Sequence, residues 1–121
     1  MAFTKEIKGK TVIFAKSAKF FNVLNKIFTL SVERDMDGQK MAMQMPGADM
    51  AIEQFKGLFE ADKEVERETL EYHLGMVGYA LQFKMDRDEF FDWLANLDNS
   101  DLVEFAKKVK EELDTKKLIS L

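Results

Sequence analysis

His73 is the natural first candidate for chemistry. It is the single histidine of the chain, and Glu71 lies two positions before it. A catalytic histidine needs a carboxylate to orient it and a group to activate. On a helix, residues two apart do not face each other, so Glu71 is badly placed to orient His73. The chain has no cysteine, and no serine stands in a G-x-S-x-G turn. A metal site is equally poorly supplied, since one histidine without cysteine leaves only carboxylates. Asp86, Asp88 and Asp92 lie close together but lack the glycine and closing glutamate of a calcium loop. Acids are plentiful, yet no pair is singled out for glycoside chemistry, and no glycine-rich phosphate loop is present. The expectation is a protein without enzymatic activity, cofactor or metal.

Two other groups suit recognition. Lys8, Lys10, Lys16 and Lys19 interleave with Phe14, Phe20 and Phe21, and basic grooves with stacking rings bind single-stranded nucleic acid. Against that, the segment has no arginine, the whole chain is acidic, and the phenylalanines fit core stripes. Nucleic acid is therefore the second choice. The other group is Met36, Met41, Met43, Met45 and Met50. Methionine is unbranched and polarizable, and it is over-used at promiscuous binding surfaces. Met41, Met43 and Met45 also fit the inward face of a strand, so core and surface both remain open. Phe55 and Phe59 follow and extend the apolar run. The candidate partner-binding set is Met43, Met45, Met50, Phe55 and Phe59.

The elements that must position these residues follow from periodicity and punctuation. Ile7 to Phe14 is β-rich around Gly9, a short strand or tight hairpin. Ser17 is a candidate N-cap, and apolar positions 20, 21, 24, 27 and 28 form a helical stripe. A helix is expected over 17–26. Alternation around Asp37-Gly38 then predicts strands over 27–34 and 39–45, a β-hairpin spanning about 27–45. Pro46-Gly47 stops it. Asp49 is expected to cap a helix carrying Ile52, Phe55 and Phe59. A helix over 63–83 has apolar stripes on two faces, implying burial on both sides or a partner, although 76–84 also fits a strand. Asp86 opens a short helix with Phe90, Phe91, Leu94 and Leu97 inward. Ser100 is expected to cap the last helix, whose stripe is Leu102, Phe105, Ala106, Val109 and Leu113. Asp101 and Glu104 begin that helix, and Lys116 and Lys117 end it. The fold class is α+β, predominantly helical, with a short N-terminal β element and the hairpin packed with four to five amphipathic helices.

A chain of 121 residues, 46% hydrophobic and 33% charged, suits one globular domain over 1–121. Residues 1–20 lack the apolar core of a signal peptide, and no run approaches the length of a membrane helix. With no cysteine, a cytoplasmic setting and no membrane contact are expected. Residues 1–26 hold six lysines against Glu6, so the net −4 divides into +5 there and −9 over the remainder. Two surfaces of opposite sign, with an open hairpin, predict self-association into homo-oligomers.

This layout resembles the small tail assembly chaperones of long-tailed bacteriophages of Gram-positive hosts. The resemblance rests on the β element around Ile7-Lys8-Gly9-Lys10 and the helix starting Ala-Lys-Phe-Phe. It rests also on the acidic helical second half and the closing Val109-Lys110-Glu111-Glu112-Leu113 with Lys116-Lys117. It implies a non-enzymatic cytoplasmic chaperone that coats a hydrophobic helical client of tape-measure type. No catalytic residue comes with it.

Overall fold

Lys8-Gly9 and Asp37-Gly38 both hold their two residues at positive φ, 50° and 79° in the first pair and 52° and 79° in the second. That geometry makes the two-residue turns whose twist matches flanking antiparallel strands, and glycine takes it without steric cost. Each turn closes a hairpin. In the computed structural model, which describes residues 2–60 and 64–115, β1 (Phe3–Ile7) pairs with β2 (Lys10–Phe14). β3 (Thr29–Met36) pairs with β4 (Gln39–Pro46). The N-terminal β element is thus a tight hairpin, with Gly9 in its turn.

Five helices complete the described residues: α1 (Ala18–Ile27), α2 (Ala48–Gly57), α3 (Arg67–Ala80), α4 (Arg87–Asn96) and α5 (Asn99–Leu113). The fold is α+β and predominantly helical. α3 lies at its centre and packs against α1, α2, α4 and α5. Eight of its residues between Leu70 and Ala80 are buried, which accounts for the stripe of Leu70, Leu74 and Val77; of the second stripe only Met76 is buried, while Tyr72 and Phe83 are 57 and 45% exposed. Beyond Ala80 the chain turns rather than continuing as helix or strand. Gln82 holds this turn: its amide donates to the carbonyls of Tyr79 and Met85, and its oxygen accepts from the N–H groups of Lys84 and Met85. A buried side-chain amide with all its partners present specifies one loop conformation.

Part of the core is a group of packed aromatic rings. Phe14 meets Phe105 edge-on at 5.2 Å between ring centroids, Trp93 meets Phe105 at 5.0 Å, and Phe3 stacks on Phe14 at 5.0 Å. These contacts tie the first hairpin to α4 and α5, with geometries that suit ring quadrupoles.

Several boundaries and caps differ from expectation. The first helix runs through Ile27, and the Phe28 N–H still bonds to the Leu24 carbonyl, so β3 begins at Thr29 rather than 27. Asp49 lies in the first turn of α2 and is not its cap. Gly47 is the N-cap position, and the Ala48 N–H is satisfied by Asn25 Oδ1 from α1 at 2.9 Å. Ser100 does not cap α5. Asp98 does, accepting from the Asp101 N–H at 2.8 Å, and the Ser100 hydroxyl donates to the same carboxylate. Asp86 caps α4 as expected, accepting from the Glu89 N–H. The helix expected over 63–83 is Arg67–Ala80; position 63, like Lys116 and Lys117, lies outside the described residues. No helix among the described residues is long and apolar enough to cross a membrane.

Candidate functional site

The β3–β4 hairpin is an arm. Its root is pinned: the Gly47 N–H bonds to the Phe28 carbonyl at 3.1 Å, and Asn25 holds Ala48. A Cβ at Gly47 would meet the Phe28 ring at 2.5 Å, so only glycine lets β4 pass into α2 this close to the start of the arm. Beyond the root, β3 and β4 pack almost wholly on each other. Every residue of β4 is exposed, and on β3 only Leu30 and Val32 are partly covered.

Register sorts the arm into two unlike faces. Leu30 opposes Met45, Val32 opposes Met43, Arg34 opposes Met41, and Met36 opposes Gln39. Opposed residues share a face, so Leu30, Val32, Met36, Met41, Met43 and Met45 form one largely apolar surface, with Arg34 and Gln39 among them toward the tip. Thr29, Ser31, Glu33, Asp35, Lys40 and Gln44 lie on the other. Met36, Met41, Met43 and Met45 are 53, 50, 45 and 42% exposed. These methionines are therefore surface, and the inward-facing reading of Met41, Met43 and Met45 does not hold. Exposed apolar faces rimmed by polar residues are common at interaction sites.

The five candidate residues separate. Met43 and Met45 sit together on the arm's apolar face. Met50 is exposed on the first turn of α2. Phe55 has no exposed surface and belongs to the core, because it follows Ala48 and Ala51 on the buried side of α2. Phe59 is half-buried with its ring edge-on to Phe55 at 5.3 Å. It lines a shallow groove of about 240 Å³ with Leu58, Val65, Leu70, Val103 and Ala106. Phe55 is thus removed from the contact set, while Leu30, Val32, Met36 and Met41 join it. Their signal was present in the alternation about Asp37-Gly38.

The residues of the nucleic-acid reading are spent elsewhere. Phe14 and Phe20 are fully buried and cannot stack on bases. Lys8 pairs with Asp92 at 2.7 Å and Lys10 with Glu89 at 3.3 Å, both on α4. That Asp92 carboxylate holds the Lys8 ammonium above its ordinary value. Lys16 donates to the carbonyls of Leu113 and Thr115 at the end of α5, where a cation suits the helix dipole. Basic and acidic segments of this chain therefore meet within one molecule, which weakens charge as a reason for head-to-tail assembly. His73 is 9% exposed, its Nδ1 has no hydrogen-bond partner, and burial pushes its pKa down. Among the described residues no group of three histidines or carboxylates is placed to hold a metal.

Compared with protein-family models, with curated proteins and with solved structures, the chain finds no match.

Proposed function

We propose that this protein is a non-enzymatic chaperone of the tail-assembly type, working in the cytoplasm and holding a hydrophobic helical client of tape-measure type on its methionine-rich arm. The observation that carries this reading is the arm itself, a pinned two-stranded element with one largely apolar and one polar face, the methionines of the first being 53, 50, 45 and 42% exposed. Long unbranched methionine side chains adapt to differing apolar stripes, so one arm serves many registers along a repetitive helix. The polar face keeps the loaded arm in water. Met50 and the groove beside Phe59 offer further apolar contact to a client longer than the arm.

The test uses a synthetic amphipathic helical peptide with a leucine-rich stripe, followed by fluorescence anisotropy. Binding to the native protein, lost on Met43→Glu with Met45→Glu, supports the reading. A native protein that ignores such peptides, or a charged arm that binds them unchanged, overturns it.

A further inference from the structure

Among the described residues no third strand joins the arm, and its two edges are chemically unlike. β3 carries Glu33, Arg34 and Asp35 in succession, and charge along an edge strand opposes pairing with another chain. β4 runs Met41-Ala42-Met43-Gln44-Met45 without a charge, and its one charged residue, Lys40, stands beside the tip. No bulge protects it, for the register is one-to-one from Thr29↔Pro46 to Met36↔Gln39. A lone two-stranded hairpin is marginal in water, whereas more strands sharing an apolar face are stable.

We infer that β4 pairs with β4 of a second copy, antiparallel about a dyad at Met43, so that two arms form one four-stranded sheet. Met36 and Gln39 flank the two-residue turn and form its hydrogen-bonded pair. Ladder alternation then directs the backbone groups of Met41, Met43 and Met45 toward β3 and those of Lys40, Ala42 and Gln44 outward. About a dyad at Met43, Ala42 faces Gln44 of the second copy and exchanges both bonds with it. The Lys40 N–H reaches the Pro46 carbonyl. Pro46 has no donor to lose, so every outward N–H from Lys40 to Pro46 finds an acceptor. Side chains of opposed residues share a face, so this register puts both apolar faces on one side. Val32, Met43, Met43 and Val32 make the central row across the joined sheet. The β3 edge has no equal alternative. Registers of β3 on itself that pair most of the strand lay Glu33, Arg34 and Asp35 against a second strand, and centring on Glu33 or Arg34 sets like charges opposite each other.

The pairing rests on the arm alone; only the value of the doubled face depends on the client reading. The test therefore uses no client. The chain has no native cysteine, so Met43→Cys introduces a single thiol. Opposed residues of a pair without hydrogen bonds approach to about 4.5 Å between α-carbons, within disulfide range. Mild oxidation should convert most of the Met43→Cys chain to a covalent dimer, and Val32→Cys, one strand removed on the same face, should stay monomeric on a denaturing gel. In light scattering the native protein should show at least twice the 14.0 kDa of one chain. Ala42→Pro removes an outward donor without touching the β3–β4 ladder and should return the mass to that of one chain. Glu33→Pro, the matching change on the β3 edge, should leave the mass as it was. A native protein that stays monomeric at high concentration overturns the inference. So does cross-linking of Val32→Cys as fast as Met43→Cys, or dissociation by Glu33→Pro as complete as by Ala42→Pro.

Discussion

The ring of Phe91 occupies the space that a side chain at Gly75 would need. α4 closes onto α3 at this point because the glycine presents bare backbone to the ring. Alanine at position 75 favours the helix by about 1 kcal/mol. Displacing Phe91 costs about 1–3 kcal/mol in lost packing and strain. The second effect wins, so Gly75→Ala should lower the melting temperature. Gly57, at the end of α2, has nothing within 4 Å of an added Cβ, and Gly57→Ala should be neutral or slightly stabilising. Opposite signs in two thermal melts are the expected result. A stabilised Gly75→Ala would mean that Phe91 moves aside freely.

A second prediction concerns Arg67, the first residue of α3. Its guanidinium donates to Glu71 at 2.8 Å, to Asn99 Oδ1 at 2.7 Å, and to the carbonyls of Leu94 and Leu97 at the end of α4. One planar fork thus joins three helices and satisfies carbonyls that a helix end leaves open. Hydrogen bonds to a charged group contribute about 1.5–3 kcal/mol each in favourable cases, but this group is partly exposed. Arg67→Ala should cost about 2 kcal/mol, and Arg67→Lys should recover less than half, since an ammonium cannot span the same acceptors. Urea midpoints with an unchanged slope are the measurement. Full recovery by lysine would show that charge alone matters there.

Stability should also depend on pH through His73. Burial lowers its folded pKa below the ordinary 6.5, so the folded protein holds the ring neutral while the unfolded chain takes up a proton. The contribution is complete above about pH 6.5. It falls as the pH drops from there toward the folded value, at no more than about 1.4 kcal/mol per pH unit. Asp98 and Asp114 are shifted down, Asp98 chiefly by the Asp101 N–H and Asp114 chiefly by Lys56. Their contribution is present above the ordinary carboxylate value and disappears only at lower pH. His73→Gln should therefore flatten the stability profile just below pH 6.5 and leave the acid limb unchanged. A native profile already flat in that window would show that the ring is protonated without penalty.

Much of the arm was legible before its structure. Once the turn falls at Asp37-Gly38, Val32 must face Met43 and Leu30 must face Met45, because a two-residue loop sets the register. Coverage was not legible. Met43 and Phe55 carry the same kind of periodic apolar signal, yet one is exposed and the other sealed. Periodicity shows that a face is apolar, while tertiary placement decides whether anything lies on it. The caps separate in the same way. Asp86 was found from its own segment, whereas the N-terminus of α2 is satisfied by Asn25 from a different helix, which no local pattern reveals. Asp98 and Ser100 are both good capping residues two positions apart, and the earlier one takes the helix start and engages the other's hydroxyl.

The last prediction separates binding from folding within the original candidate set. Met45 is exposed on the arm, so Met45→Glu should change stability by no more than about 0.5 kcal/mol, as surface substitutions do. Phe55 is fully buried, so Phe55→Ala should cost about 3–5 kcal/mol, a large share of the roughly 5–15 kcal/mol that holds such a domain folded. Phe59 stands between them, half-buried against Phe55, and Phe59→Glu should lower the melt by less than the Phe55 change. Peptide capture should follow a different order. Met45→Glu should weaken it at least tenfold at full stability, because it places a charge on the apolar face near the root of the arm, opposite Leu30 and beside Met43. Phe55→Ala, assayed well below its melting point, should retain it. The comparison needs thermal melts and peptide anisotropy on the same preparations. If Met45→Glu collapsed the melt, the arm's face would be covered by something in the folded protein. If Phe55→Ala alone lost the peptide while still folded, the binding surface would lie on α2 and the arm would not be the site.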